Sequence, residues 1–259
     1  MSGILSDFAA VFTRWRVWFL MAGQDIALRY RRSLLGPFWI SLSLGALVLG
    51  MALLFGQIFQ MDLAVYLTWL GVSLLIWTYL AALLNEGCGA AIDAETQLRS
   101  VSIPLPVLAA RVVHRNLIVF AHNLLVIVVL LVVFGYRPTM ELVWAPLGLA
   151  VLTLTGFFAV MVLAPICLRF RDFPQIVANV LQIVFFLTPI IWLPTQGRVP
   201  SWVIEINPFH HFMELVRAPI LGAAPSQLSW IVTLSILGGL IVLAAASLGV
   251  SRRKLFVWL

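Results

Sequence analysis

Six stretches of at least 21 residues contain no Asp, Glu, Lys or Arg, and they constrain the fold more than any other feature. A helix needs about 20 apolar residues to cross the hydrocarbon core of a bilayer. The stretches therefore predict an all-α, polytopic membrane protein whose six transmembrane helices cover residues 38–61, 63–85, 116–136, 142–168, 173–196 and 228–251. Composition agrees, because only 10% of the 259 residues are charged, whereas soluble domains are about 25% charged.

The distribution of basic residues between these stretches predicts the orientation. Of the 16 Lys and Arg residues, 13 lie in the N-terminal segment, between spans two and three, between spans four and five, or in the C-terminal tail. The other side has only Arg137, Arg198 and Arg217. Because cytoplasmic loops carry an excess of Lys and Arg, we expect both termini in the cytoplasm.

Two segments on the cytoplasmic side are predicted to be helical without spanning the membrane. Residues 4–30 place apolar side chains mostly at steps of three and four, opposite charged ones, which is typical of an amphipathic helix in the membrane interface. Residues 92–101 form the polar part of the longest cytoplasmic connection and precede Pro104 and Pro106. They predict a short helix followed by a turn.

The outer connection, residues 197–227, is too apolar for a solvated loop and too rich in proline for a span. Asn207 is predicted to cap a helix that begins with Pro208. Glu214 and Arg217 would lie one turn apart on that helix. We therefore expect a pair of short helices that either re-enter the outer leaflet, which we favour, or lie on its surface.

Several kinds of chemistry are disfavoured by residues that the sequence lacks. There is no G-x-x-x-x-G-K-[ST] motif, since the only lysine is Lys254 and Leu255 follows it, so ATP hydrolysis through a P-loop is excluded. The predicted spans contain no carboxylate, which disfavours proton or ion coupling. The two cysteines and four histidines show no metal-binding spacing, and no metal or cofactor is expected on this chain. The polar pair His122 and Asn123 in span three favours an interhelical hydrogen bond.

Two features could bind a ligand. The segment Arg29, Tyr30, Arg31 and Arg32 is the densest positive cluster. It would set topology and bind anionic head groups, or capture a phosphate-bearing lipid, because Arg donates bidentately to phosphate. Most aromatic residues fit an interfacial belt. A minority could line a path and stack on sugar rings, namely Trp39, Trp69, Trp77, Phe157, Phe158, Phe185 and Phe186.

Four segments, in order along the chain, resemble the permease subunits of type-2 ABC exporters of polysaccharides. The similarity is greatest to O-antigen permeases, notably through Arg115-Asn116-Leu117 to Phe120-Ala121-His122-Asn123, while capsule and teichoic-acid permeases are also similar. The four segments are residues 29–39, residues 85–87 with 104–106, residues 169–176 with 187–190, and residues 207–222.

This resemblance implies that residues 1–259 form a single ABC-2 type transmembrane domain of the bacterial inner membrane. Two copies of the chain would pair with two copies of a nucleotide-binding subunit that carries ATP and Mg. The implied substrate is a polysaccharide linked to undecaprenyl diphosphate, and no nucleic-acid partner is expected.

The resemblance also implies residue roles. The coupling helix that contacts the ATPase would contain Asp93, Glu95, Thr96, Gln97, Leu98 and Arg99. The lipid diphosphate would enter beside Arg29, Tyr30, Arg31 and Arg32. The outer gate would contain Asn207, Pro208, Phe209, His210, Glu214 and Arg217.

Three other functions remain open from the residues alone. A small-molecule exporter could share the fold, because a fold does not determine a substrate. A secondary flippase would work without an ATPase. A membrane transferase would have to use Glu86, Asp93, Glu95 and His114, which show no catalytic motif.

Overall fold

A computed structural model describes residues 2–33, 36, 38–95, 103–194 and 199–258, and their ordered elements are all helical. The α-helices, numbered along these described parts, are α1 (Ser2–Thr13), α2 (Trp15–Arg29), α3 (Phe38–Ile58), α4 (Leu63–Gly89), α5 (Leu105–Val133), α6 (Trp144–Arg169), α7 (Phe173–Leu187), α8 (Ser201–Glu205), α9 (Pro208–Ile220) and α10 (Gln227–Trp258). A 3₁₀ helix, Met140–Val143, leads into α6. The predicted all-α fold class is confirmed.

Five helical segments of the described chain are long and apolar enough to cross a membrane. They are Phe38–Ile58, Leu63–Gly89, Leu105–Val133, Met140–Arg169 and Gln227–Gly249. The stretch at 173–196 differs from the prediction, because its helix α7 has only 15 residues and ends at Leu187. Thr188 precedes Pro189 and adopts an extended backbone (ψ 137°), as expected for a residue whose α conformation clashes with the following proline ring.

Helix α4 is the centre of the bundle. It packs against α3, α5, α6, α7 and α9, and side chains around its whole circumference are buried. Glycines allow α6 to approach its neighbours closely. A Cβ on Gly156 would overlap Leu83 of α4, and a Cβ on Gly148 would overlap the backbone of Leu215 in α9. Small residues at such crossings let helix backbones pack tightly in a membrane.

Two helix boundaries differ from the predictions. The third span begins at Leu105 rather than Asn116, because Pro106 occupies the first turn of α5 and starts the helix instead of ending one. The predicted single helix over residues 4–30 is divided at Arg14 into α1 and α2. At this break the Trp18 indole N–H donates to the carbonyl of Val11 at 2.8 Å, which satisfies a backbone group near the end of α1.

Candidate functional site

Five charged residues meet where α2 lies against the ends of α4 and α5, and we call this cluster the charged junction. Asp25 and Arg29 come from the last turns of α2, Glu86 from the end of α4, and Arg111 and Arg115 from the start of α5. These residues are separated by up to 90 positions in the chain. The junction therefore forms only when α2 is docked on the bundle.

Arg115 is at the centre of the charged junction. Its guanidinium donates to Asp25 Oδ2 at 2.9 Å and to Glu86 Oε2 at 2.7 and 2.8 Å. Arg111 donates two hydrogen bonds, of 2.6 and 2.8 Å, to the same Asp25 carboxylate. Paired N–H donors on one carboxylate make the strongest class of ion pair in proteins. Arg115 thus ties α2, α4 and α5 together.

The charged junction has more positive than negative charge. Three guanidinium groups face two carboxylates, and the side chain of Arg29 is 44% exposed although it bonds Glu86 Oε1 at 3.0 Å. Burial alone would raise the pKa of Asp25, but the hydrogen bonds and charges of Arg111 and Arg115 outweigh it, so this pKa lies below its usual value of 3.8. Because Arg29 is the exposed member of the charged junction, the excess positive charge faces outward at this side chain.

The predicted residues next to the junction occupy turns. Tyr30 ends α2, and Arg31 and Arg32 follow it as exposed residues, with Arg32 in the left-handed region (φ 70°). Asp93 lies in the turn after α4, and Glu95 is a helical residue directly after that turn, where its N–H donates to the Ile92 carbonyl at 3.1 Å. The other predicted coupling residues, Thr96, Gln97, Leu98 and Arg99, lie outside the described residues.

The opposite end of the bundle contains the predicted pair of short helices, α8 and α9. Asn207 separates them and caps α9 as predicted, since its Oδ1 accepts from the Phe209 N–H at 3.0 Å. Pro208 is the first residue of α9. The Asn207 amide also donates to the Thr188 hydroxyl at 2.8 Å. Asn207 therefore attaches α9 to the chain that follows α7.

Glu214 and Arg217 lie one turn apart on α9, as predicted, and Arg217 bonds the non-helical chain that follows α7. The Arg217 side chain is buried, lies 4.0 Å from the centre of the Trp69 ring, and donates to the Ser73 hydroxyl and the Pro189 carbonyl. The next two carbonyls accept from α4, Ile190 from the Trp69 indole and Ile191 from the Tyr66 hydroxyl. Three consecutive carbonyls of an irregular, buried segment are thus satisfied by side chains.

Glu214 belongs to a separate polar cluster with His210 and His211. It pairs with His210 at 3.2 Å and accepts from the Ser229 hydroxyl at 2.7 Å. The ligand atoms of these three residues lie within 4.8 Å of one another, which is close enough for a metal. However, both ring nitrogens of His211 are already bonded, one to Ser229 and one to the Glu205 carbonyl. The cluster is a hydrogen-bond network that joins α9 to α10.

The seven aromatic residues predicted to line a glycan path lie at several places in the described structure. Trp77 packs against Phe185 and Phe209, with ring centres 5.5 and 5.9 Å apart. Phe157 and Phe158 pack elsewhere, where Phe158 contacts Phe8 of α1. Phe186 is exposed and its ring centre lies 5.3 Å from that of Phe185. Trp39 is exposed, and Trp69 covers Arg217.

Sequence reasoning missed the charged junction. In the sequence, Arg111 counted only toward the orientation, and Arg115 toward the orientation and the family resemblance, although their spacing of four residues places them on one face of a helix. The predicted interhelical bond of His122 and Asn123 is also wrong for the described residues. His122 bonds the Ile118 carbonyl of its own helix, and the buried side-chain oxygen of Asn123 has no partner.

The five candidate spans and the charged end of their bundle describe a multi-pass helical membrane protein. No protein-family model matches the chain. The chain is 28% identical to the O-antigen export system permease protein RfbA of Myxococcus xanthus, over 90% of this chain and 91% of that protein. It is also similar to RfbA permeases of Klebsiella pneumoniae, at 24% and 22% identity over 73% of this chain. These relatives confirm the resemblance to O-antigen export permeases and agree with a transport subunit.

Proposed function

We propose that this chain is the permease subunit of an ATP-driven exporter that moves lipid-linked polysaccharide of the O-antigen class across the bacterial inner membrane. The observation that carries the proposal is the similarity to O-antigen export permeases over nine tenths of the chain. In this proposal residues 1–259 form one transmembrane domain, and the lipid carrier is undecaprenyl diphosphate.

The proposal includes a sixth membrane crossing, made by α7 and the irregular chain that follows it. Helix α7 is about 22 Å long at 1.5 Å per residue, too short for a core of about 30 Å. Non-helical backbone is tolerated at membrane depth only where protein satisfies its polar groups. The bonds from Tyr66, Trp69 and Arg217 to three consecutive carbonyls meet that requirement and support a crossing completed by residues 188–194.

Six crossings place both termini on one side, and the excess of Lys and Arg assigns that side to the cytoplasm. The charged junction then lies at the cytoplasmic surface, and α8 and α9 lie at the outer surface as the gate. Helices α1 and α2 expose large apolar side chains such as Phe12, Leu20 and Leu28. This exposure supports α1 and α2 as helices at the membrane interface that contact lipid.

The energy source in this proposal is a separate nucleotide-binding subunit, since the chain has no P-loop. Two copies of the chain would assemble with two copies of that subunit, which binds ATP and Mg. Residues 93–99 would contact it, and Asp93 and Glu95 lie where the chain turns at the cytoplasmic end of α4. An ATPase can shift the permease only through contacts that differ between its two states.

The lipid diphosphate would enter beside residues 29–32. The excess positive charge of the junction at Arg29, together with the exposed Arg31 and Arg32, supports this position. Arginine binds phosphate with paired N–H donors, and its charge is retained at any physiological pH. The glycan would then follow the lipid along aromatic side chains toward α8 and α9.

The proposal is tested by co-expressing the chain with the nucleotide-binding subunit encoded nearest to it. We expect a complex whose ATPase activity falls when Glu95→Arg or Asp93→Arg reverses charge at the contact. Glu141→Arg is the matched control, because Glu141 lies in the 3₁₀ helix at the opposite end of the bundle. A chain that forms no complex with any nucleotide-binding subunit would contradict the proposal, as would equal effects of Glu95→Arg and Glu141→Arg.

A further inference from the structure

A cavity of about 450 Å³ opens beside Arg29 and extends between α3, α4 and α5. This volume lies within the range of small-molecule sites. From Glu86 the wall formed by α4 reaches Thr78, eight residues or about 12 Å deeper. On α5 the wall runs from Asn116 to Asn123, about 10 Å. The cavity therefore leads from the charged junction toward the middle of the bundle.

Residues with hydrogen-bond acceptors line this cavity. Asn123 lines it, is only 4% exposed, and has a buried side-chain oxygen that bonds none of the described residues. Ser43 and Thr78 also line it, and each donates its hydroxyl proton to a carbonyl of its own helix. Their hydroxyl oxygens keep lone pairs that can accept. An unpartnered buried acceptor is costly, and a ligand that brings donors would remove that cost.

Apolar side chains also line the cavity. Ile40, Leu47 and Phe120 supply apolar lining between the polar groups. Binding sites for small organic ligands combine such apolar surface with a few polar groups that orient the ligand. A sugar ring has this character, because its edge carries hydroxyl donors and its faces carry C–H groups.

We propose that this cavity binds the first sugar of the lipid-linked polysaccharide, the one attached to the diphosphate, with Asn123 as an acceptor for a sugar hydroxyl or amide N–H. The inference rests on the proposed function, because it takes the diphosphate to lie at Arg29. It goes further by assigning recognition of the reducing-end sugar to α3, α4 and α5. A diphosphate at the mouth of the cavity places the attached sugar inside it.

The test compares two probes on the purified chain in lipid nanodiscs, a polyprenyl diphosphate that carries one N-acetylhexosamine and a polyprenyl diphosphate without sugar. We expect the sugar-bearing probe to bind more tightly to the unaltered chain. Asn123→Leu is expected to weaken that probe by about 3- to 10-fold, the value of one neutral hydrogen bond. Asn123→Leu should leave binding of the sugar-free probe unchanged. Thr78→Val, which keeps the side-chain shape, should act in the same direction.

Two further variants separate the possible failures. Arg29→Gln should weaken both probes, and Thr233→Val should weaken neither, because the buried Thr233 hydroxyl bonds its own helix α10 away from the cavity. If the sugar-free probe binds but the sugar adds nothing, the cavity proposal is wrong while the proposed function stands. If neither probe binds, both are wrong. A melting temperature lowered by Asn123→Leu but not by Thr233→Val would assign Asn123 a structural role instead.

Discussion

Replacing Arg115 by leucine is the most informative perturbation of the charged junction. Arg115 forms two ion pairs, one with Asp25 and one with Glu86, and its side chain is only 10% exposed. Removing one partner of a buried pair costs about 3–5 kcal/mol, because the remaining charge stays buried. Here Asp25 keeps Arg111 and Glu86 keeps Arg29. We therefore expect a loss of about 2–4 kcal/mol in the free energy of unfolding.

The assay is thermal unfolding of the purified chain in detergent, followed by the fluorescence of its ten tryptophans. For a chain of this size the loss corresponds to a fall in Tm on the order of 10 °C. Arg31→Gln is the control, since it removes an exposed Arg beside the junction and should change stability by about 0.5 kcal/mol or less. If Arg115→Leu lowers Tm no more than Arg31→Gln, the junction does not hold α2 on the bundle.

Three more predictions concern the junction and the opposite end. The pKa of Asp25 is lowered by Arg111 and Arg115, so its stabilising effect should be complete above pH 3.8 and be lost as the pH falls below that value. The Tm difference between the unaltered chain and Asp25→Asn should therefore be constant from pH 8 to 5 and shrink in stronger acid; a difference that grows on acidification would contradict this. Arg217→Lys should lower the free energy of unfolding by about 2 kcal/mol, and with it Tm, because an ammonium cannot contact Trp69 and the Pro189 carbonyl at the same time. An unchanged Tm would refute this. Gly148→Ala should cost about 1–3 kcal/mol by overlap with Leu215, whereas Gly50→Ala, with open space around it, should leave Tm unchanged or raise it.

The spans were predictable because one physical requirement determines them. A bilayer core demands about 20 apolar residues per helix, and five of the six uncharged stretches coincide with long helices. The cap at Asn207 was predictable for a similar reason, since it depends on neighbouring residues alone. Local chemistry and hydropathy thus determine much of the fold.

The charged junction and the bonding partners of Arg217 and of the chain after α7 depend instead on residues distant in the chain. Asp25 and Arg115 are 90 positions apart, and no local pattern pairs them. The end of α7 at Leu187 is compensated by Tyr66 and Trp69 of α4. The bond from Arg217 to the Pro189 carbonyl likewise joins residues 28 positions apart. Tertiary contacts decide such partners.

The most direct test of the proposed function is reconstitution of transport. The chain and its nucleotide-binding subunit are placed in proteoliposomes with a fluorescent polyprenyl-diphosphate-linked oligosaccharide, and its arrival in the opposite leaflet is followed by an externally added quencher. The account predicts ATP-dependent movement that requires both subunits. Movement by the chain alone, or a stable complex that hydrolyses ATP without moving the lipid-linked sugar, would contradict it.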